Sequence, residues 1–260
     1  MGDTVLYERK EQIGSLTLNR PQVLNAINDA WIHDLIAAAS AARDDREARV
    51  VVIRGAGRAF CAGADLKENP RRRELREYWH RHMTPEQEIA RIFRRMGKPV
   101  LAQVHGYAVG GGCELAMLAD IRVAAEGTKF GFTEVRVGAT VTMGGLYTLT
   151  RLVGAGRAFE LLYTTDLIDA QEALRIGLVN RVVPADQLAP AVQGLASRIA
   201  AHFPLELALT RNSLYRAMDV DFDAAVEEET GAALLSYVGG AREKGMAEAI
   251  ERIRQDKPGS

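Results

Sequence analysis

The feature that most constrains the fold is an alternation of short apolar segments with helical ones in the first half of the chain. Strands are predicted at residues 14–19, 50–53, 100–104 and 121–124, and the 50–53 segment, VVVI, is uninterrupted and β-branched, as in a strand buried on both faces. Helices are predicted at residues 29–43, after the N-cap candidate Asn28, and at 71–96, interrupted near Pro85. Strands that alternate with helices predict parallel strands joined by crossover helices.

From residue 144 onward the predicted structure is almost entirely helical. Asp169 and Asp221 each precede a helical segment and are candidate N-caps. The predicted helices in this part cover residues 145–153, 157–163, 170–176, 185–201, 205–218, 222–237 and 242–254. The chain is therefore predicted to be α/β, with a helical region after the strand-containing part.

Composition excludes several classes of protein. The 260 residues are 47% hydrophobic and 26% charged, with a formal net charge of −1, which argues against a disordered chain and a dedicated nucleic-acid binder. We find no apolar segment of membrane-spanning length and no secretory signal pattern, and we therefore expect no membrane partner. Two cysteines, Cys61 and Cys113, do not form a disulfide framework, so we expect a cytoplasmic protein in which both fill core sites.

One basic cluster is compatible with two interpretations. It lies among Glu74, Glu77, Tyr78 and Trp79. Mixed charges of this kind usually form a solvated helix face. In the alternative interpretation, the basic side chains bind an anionic ligand such as a nucleotide phosphate. The basic residues are Arg71, Arg72, Arg73, Arg76 and Arg81.

Two glycine-containing loops follow predicted strands. Residues 106–119 read GYAVGGGCELAMLA, and residues 60–66 read FCAGADL. The glycines permit a tight turn, and they also let a ligand approach backbone N–H groups that the start of a helix leaves without partners. One amide from each loop, aimed at one point, would form an oxyanion hole. The first loop does not match the G-x-G-x-x-G pattern of a dinucleotide site.

Two glutamates are candidates for acid–base chemistry. Glu114 lies on the first turn of the helix that follows the glycines, and Glu134 follows in a turn-rich segment. Two carboxyl groups in one apolar pocket can act as acid and base, whereas separately Glu114 could merely complement the helix dipole and Glu134 could be a surface charge. The five histidines and the cysteines match no metal-site spacing, and no G-x-S-x-G nucleophile motif occurs.

The chain resembles the enoyl-CoA hydratase/isomerase, or crotonase, superfamily over nearly its whole length. The resemblance rests on LNRPQVLNAIN at residues 18–28, AFCAGADLKE at 59–68, VHGYAVGGGCELAMLADIRVAA at 104–125, KFGFTEVRVG at 129–138 and the segment 149–184. It implies a spiral core of repeated β-β-α units over residues 1–195. It also implies a helical C-terminal region over residues 196–260 that forms a homotrimer, or a homohexamer made of two trimers.

The resemblance also implies a substrate and a set of site residues. The substrate is an acyl-CoA thioester, and no metal or redox cofactor is required. The amides of Ala64 and Gly111 match the oxyanion donors, and Glu114 and Glu134 match a pair that holds a water molecule, Glu114 as its base and Glu134 as the proton donor to C2. The implied substrate and CoA contacts are Ala26, Ala62, Ala64, Asp65, Leu66, Lys67, Thr142 and Tyr237.

Two departures from the family pattern affect the expected reaction. Val141-Thr142 replaces a usual Pro-Gly pair, so the amide that helps to hold the water belongs to Thr142. Ala249 stands where a phenylalanine is usual. Hydration of a 2-enoyl-CoA to a 3-hydroxyacyl-CoA is the leading hypothesis. Double-bond isomerisation, another crotonase-type reaction on a specialised or cyclic acyl-CoA, and a non-enzymatic CoA- or RNA-binding role are the alternatives.

Overall fold

A computed structural model describes residues 2–68 and 74–255, with the side chains of 252–255 excepted. Their contacts divide the chain into a unit that ends at Ala200 and a helical unit that begins at Ala201. The sequence-based boundary after residue 195 falls inside a helix, Leu188–Ala200, that belongs to the first unit.

The described residues of the first unit form two β-sheets. The larger has six strands in the order β1-β2-β3-β4-β6-β9, all parallel except the β1–β2 hairpin. The smaller has three strands in the order β5-β7-β8. The strands are β1 Val5–Lys10, β2 Ile13–Leu18, β3 Val50–Gly55, β4 Val100–Val104, β5 Tyr107–Val109, β6 Ile121–Ala125, β7 Lys129–Gly131, β8 Ile168–Asp169 and β9 Arg181–Val183.

Helices connect the strands in a repeating order. Strand β4 leads to β5 in the second sheet and then to α4, and β6 leads to β7 and then to α5. This is the β-β-α repeat expected of the spiral core. The helices of this unit are α1 Asp29–Asp44, α2 Leu75–Tyr78, α3 Thr84–Arg94, α4 Gly111–Met117, α5 Gly145–Thr164, α6 Ala170–Arg175 and α7 Leu188–Ala200.

The two faces of the large sheet are covered differently. On one face α1 and α3 pack with Trp31, Ile89 and Phe93 fully buried. On the other, α7 packs Val192 and Ala196 against the β-branched side chains of β3 and β6. A continuous β-branched strand such as 50–53 requires apolar cover on both faces, and the structure provides it.

Several helix boundaries follow the local sequence. Asn28, Asp169 and Asp221 each accept a backbone N–H three residues ahead, as predicted. The predicted break between residues 153 and 157 is confirmed at Gly154, where φ is +77° inside α5.

The predicted interruption near Pro85 takes the form of a π-helical turn, Trp79–Met83, between α2 and α3. Helical backbone continues through Met83 and Thr84 into α3, and the Thr84 N–H donates to Trp79 O, five residues back. Pro85, which has no N–H to donate, follows in the first turn of α3. The sequence also failed to predict β1, β5, β7, β8 and β9; apart from β1 these strands have only two or three residues, too few to show an alternation.

The described residues of the second unit, 201–255, form three helices, α8 Pro204–Ala217, α9 Phe222–Val238 and α10 Ala241–Gln255. Within it, Ser236 Oγ donates to Glu206 Oε1 at 3.0 Å, which links α9 to α8. Large apolar side chains remain exposed on this unit, among them Phe222, Leu234 and Val238. No helix among the described residues has an apolar stretch long enough to cross a membrane.

Candidate active site

The two glycine-containing loops pack directly on each other. Cys61 pairs with Ala108 as an isolated parallel bridge, with hydrogen bonds from Cys61 N to Tyr107 O and from Val109 N to Cys61 O. A Cβ atom on Gly112 would lie 2.2 Å from the Cys61 carbonyl oxygen, which is backbone and cannot rotate away. Gly112 is therefore required by close packing between the loops, whatever else the site does.

The packing leaves two backbone amides without acceptors at the edge of these loops. The Ile27 N–H donates to Gly63 O, and Ile27 O accepts the Asp65 N–H, so Ile27 pairs with the residues on both sides of Ala64. The N–H of Ala64 itself has no acceptor among residues 2–68 and 74–255. The N–H of Gly111, first residue of α4, likewise finds no acceptor in that part of the chain. These are the two donors that the sequence singled out for an oxyanion hole.

Glu114 is buried at the start of α4. Its side chain is 2% exposed, and its Oε2 atom accepts the Thr142 N–H at 2.8 Å. A Cβ on Gly145 would come within 2.6 Å of the same oxygen, so the absence of a side chain there makes room for the carboxyl group. The Thr142 amide, which the resemblance assigned to holding the water, is bonded here to the Glu114 carboxyl group.

Glu134 lies against the glycines. Its Oε1 atom is 3.0 Å from the position that a Cβ on Gly110 would occupy, and Gly110 has φ +55° and ψ −129°, a conformation that excludes most other residues. Both carboxyl oxygens of Glu134 are buried, and neither has a hydrogen-bond partner among the described residues. Two orphaned acceptors of this kind require a donor from outside the chain, such as water or a ligand.

The two glutamates influence each other's ionisation. Burial raises the pKa of Glu114 well above its ordinary value, and the negative charge of Glu134 raises it further. Burial also raises the pKa of Glu134. Two neighbouring carboxyl groups whose pKa values are both raised favour the retention of one proton by the pair.

A third carboxyl group, which sequence reasoning missed, belongs to the same cluster. Glu86 on α3 is 7% exposed, and burial raises its pKa. Its charge in turn raises the pKa of Glu114 and of Glu134. The only sequence signal was a charged residue at a buried helical position, directly after Pro85.

The implied CoA contacts in the 62–67 loop differ in their availability. Leu66 is 70% exposed and Lys67 is exposed, so both side chains are free to meet a ligand. Asp65 is buried, pairs with Arg20 at 3.0 Å and accepts the amides of Lys67 and Glu68. Its carboxylate thus shapes the loop, and a ligand could reach this residue chiefly through its backbone.

The remaining candidates are spread over both units. Ala26 is buried and Ala62 half-buried beside the loop. Tyr237 lies on α9 of the second unit and is 68% exposed. Of the basic cluster, Arg76 and Arg81 are exposed, and Arg81 lies 3.5 Å from Glu77, as on a solvated helix face; Arg71, Arg72 and Arg73 lie outside the described residues.

The cysteines are structural. Cys61 and Cys113 are both fully buried, and burial raises the pKa of the Cys61 thiol to about 12. The pKa of Cys113 is also raised by burial. Within the described part of the chain, no group of three or more His, Cys, Asp or Glu residues is arranged to hold a metal ion.

Comparison with known proteins places this geometry in a family. Residues 8–256 match a model of the enoyl-CoA hydratase/isomerase family. The chain is 39% identical over 253 residues to a crotonyl-CoA hydratase of Syntrophomonas wolfei, covering 96% of each protein. It is 37% identical over 232 residues to a short-chain-enoyl-CoA hydratase of Clostridium acetobutylicum, covering 88% of each.

The fold agrees with the sequence match. A solved enoyl-CoA hydratase from Mycobacterium smegmatis superposes with a TM-score of 0.90 and 32% identity, covering 96% of each chain. The chain belongs to the enoyl-CoA hydratase/isomerase family.

Proposed function

We propose that this protein is an enoyl-CoA hydratase, a hydro-lyase that adds water across the 2,3 double bond of a 2-enoyl-CoA to give a 3-hydroxyacyl-CoA. The observation that carries the proposal is the pair Glu114 and Glu134, buried together beside two amides that lack acceptors. Relatives named as hydratases at 35–39% identity support the same reaction.

The amides of Ala64 and Gly111 would bind the thioester oxygen. Addition of water at C3 moves the electron pair of the double bond towards C2 and places negative charge on that oxygen. Donors fixed in place before the reaction stabilise such a charge without reorganisation, and one donor contributes about 100-fold to 1,000-fold in rate.

The glutamate pair would supply the base and the acid. A water molecule between them would donate to the orphaned oxygens of Glu134 and to Glu114. As the water oxygen bonds to C3, one water proton passes to Glu114, and C2 takes a proton from Glu134. Net, H and OH add across the double bond and the single proton of the pair has moved from one carboxyl group to the other.

These roles require a proton shift when substrate binds. In the ligand-free site burial and the charge of Glu134 favour the proton on Glu114. The Thr142 amide opposes this by stabilising the charged form of Glu114. For the proposed roles, the proton must lie on Glu134 once water and substrate are bound and before the addition begins.

The CoA moiety would lie along the 62–67 loop. Leu66 and Lys67 present exposed side chains there, and Ala26 and Ala62 line its base. Tyr237 would cover the acyl-CoA of another copy, across a subunit boundary. Coenzyme A enters as part of the substrate, and we propose no other cofactor.

We also propose that the helical unit joins copies of the chain in a trimer or in a hexamer of two trimers. Apolar side chains as exposed as Phe222 at 81% and Val238 at 83% support a contact with another copy. Sedimentation equilibrium would give three or six chains per particle, and a monomer would contradict the proposal. The cytoplasmic location expected from the two free cysteines stays a prediction.

The test of function is the loss of enoyl thioester absorbance when purified protein is mixed with crotonyl-CoA. Wild type should consume it, and Glu114→Gln and Glu134→Gln should each lower kcat by more than about 100-fold, because acid–base catalysis contributes that much or more. Both variants should still bind a CoA thioester. Binding without turnover in the wild type would contradict hydration of a short-chain substrate and favour isomerisation or a specialised acyl group.

A further inference from the structure

Glu86 is the third carboxyl group of the cluster and has no role in the mechanism above. It projects from α3, whereas Glu114 belongs to α4 and Glu134 follows β7. A carboxyl group that is 7% exposed on an amphipathic helix is costly to bury unless a specific partner holds it. The groups that contact Glu86 should therefore show why it is buried there.

The partner is the residue that also holds Glu114. The Thr142 hydroxyl hydrogen-bonds to the Glu86 carboxyl group. The Thr142 backbone N–H donates to Glu114 Oε2 at 2.8 Å. One residue with two hydrogen bonds in different directions has a fixed orientation, since rotating its peptide plane would break one or both of them.

The segment around Thr142 needs such a restraint. Met143 and Gly144 both have positive φ, at +40° and +72°, and the stretch between the 3-10 turn Val135–Val137 and α5 contains no regular structure. The glycine that the family usually has at position 142 could not make a side-chain bond. The threonine adds the bond, and Glu86 accepts it.

Other titratable groups surround Glu86. His82, in the π-helical turn, is 5% exposed, and its charge lowers the pKa of Glu86. His82 Nδ1 lies 3.1 Å from Asp29 Oδ1 on α1, and its ring stacks on Tyr78 with centroids 5.2 Å apart. Glu114 and Glu134 also interact electrostatically with Glu86.

We propose that Glu86 is a positioning residue of this site: through the Thr142 hydroxyl it keeps the Thr142 amide aimed at Glu114. This deepens the proposed function and rests on it for its catalytic consequence. Glu86 also contributes a negative charge, which favours retention of a proton by the glutamate pair. The two contributions are separable, because a glutamine keeps the acceptor oxygen and removes the charge.

The hydrogen-bond contribution is tested by a double-mutant cycle. Thr142→Val keeps the amide and removes the hydroxyl, and Glu86→Ala removes the acceptor. Each should lower kcat for crotonyl-CoA about tenfold with KM changed less than about threefold, and the double variant should be no worse than either single one, because both remove the same bond. Thr142→Ser should restore kcat. Additive losses, or no loss with Thr142→Val, would overturn the proposal.

The charge contribution is tested in the ligand-free protein, without reference to turnover. The pKa of the Glu114 carboxyl group would be followed by carbon NMR of labelled glutamate. It should fall in Glu86→Gln and stay unchanged in Glu88→Gln, a matched control on the same helix whose side chain is 49% exposed. An unchanged Glu114 pKa in Glu86→Gln would contradict the charge contribution.

This pair of readouts separates the two proposals. If Glu86→Gln shifts the Glu114 pKa while the wild type hydrates no enoyl-CoA, the positioning network stands and the proposed reaction fails. If the wild type hydrates crotonyl-CoA while the cycle is additive and the pKa is unchanged, the reaction stands and the network fails. Circular dichroism and thermal midpoints of all variants show that each is folded.

Discussion

The two sides of the site hold their catalytic groups by different means. The glycine side, residues 61–64 and 107–112, is fixed by backbone: strand pairing, hydrogen bonds between loops and contacts that leave no room for a Cβ. The threonine side, residues 139–145 with Glu86, is fixed by side chains, through Thr142 to Glu86. Backbone contacts tolerate almost no change, whereas side-chain contacts can be exchanged. The difference suggests that oxyanion binding is set on the glycine side and that the behaviour of the glutamate pair is tuned on the threonine side.

The largest effect should come from breaking the glycine side. Gly112→Ala puts a Cβ atom 2.2 Å from the Cys61 carbonyl oxygen, so the two loops must separate. A displacement of about 1 Å at the oxyanion donors should lower kcat/KM by about 100-fold or more. The measurement is crotonyl-CoA turnover, with circular dichroism to verify folding.

Gly194→Ala in α7 is the control for this change. A Cβ there has nothing within 4 Å, and its backbone is ordinary helix, so activity should be unchanged and the free energy of unfolding should rise by up to about 1 kcal/mol. If Gly112→Ala were as active as Gly194→Ala, the backbone would not be what fixes the oxyanion donors.

A smaller effect is expected on the threonine side. Gly145→Ala places a Cβ atom 2.5 Å from Val141 Cγ1 and 2.6 Å from Glu114 Oε2, and both of these atoms belong to side chains that can move. We expect a loss of about tenfold in kcat, smaller than for Gly112→Ala, since side chains relax more readily than backbone. A loss larger than that of Gly112→Ala would reverse the comparison between the two sides.

Glu114 also gives a pH-dependent prediction for stability. Burial raises its folded-state pKa above the unfolded value of about 4.3, so the folded protein binds more protons between those two pKa values, and stability falls as pH rises through them. Replacing Glu114 by a neutral residue should therefore increase the free energy of unfolding more at about pH 8 than at about pH 5. The difference should be about 1.4 kcal/mol for each pH unit by which the folded-state pKa of Glu114 lies above pH 5, up to pH 8.

Urea unfolding of the wild type and Glu114→Gln at both pH values measures this difference. Glutamine can still accept the Thr142 N–H, which isolates the charge from the hydrogen bond. The exposed Glu126→Gln should show no such difference. If Glu114→Gln changed the free energy of unfolding equally at both pH values, the folded protein would not raise the pKa of Glu114.

The smallest effect should be seen with thiol reagents. Cys61 lies on the glycine side but is fully buried, and its thiol pKa is raised to about 12. Iodoacetamide should label neither cysteine in the native protein and both in urea, because the thiolate is the reactive form and burial blocks access. Rapid native labelling at Cys61 would show that the glycine side opens.

The sequence allowed the glycine side to be predicted well. Strand, glycine turn and helix follow one another in a local pattern, which predicts one exposed amide from each loop. The assignment of these donors to Ala64 and Gly111 came from the family resemblance, and neither amide has an acceptor among the described residues. The N-caps at Asn28, Asp169 and Asp221 are local too, since a side chain three residues away determines them.

The threonine side could not be predicted as fully. That Glu114 and Glu134 approach one another was a hypothesis from resemblance, and the place of Glu86 depends on α3 meeting a segment more than fifty residues away in sequence. Contacts of this kind leave no local pattern.

The most direct test of the central claim is the mass of the product formed from crotonyl-CoA. We predict a product heavier than the substrate by one water in the wild type, carrying heavy oxygen when the reaction is run in oxygen-18 water, and little or no such product with Glu134→Gln. A product of unchanged mass would instead show that the double bond had moved. That result would contradict hydration and leave the glutamate pair as an isomerase site.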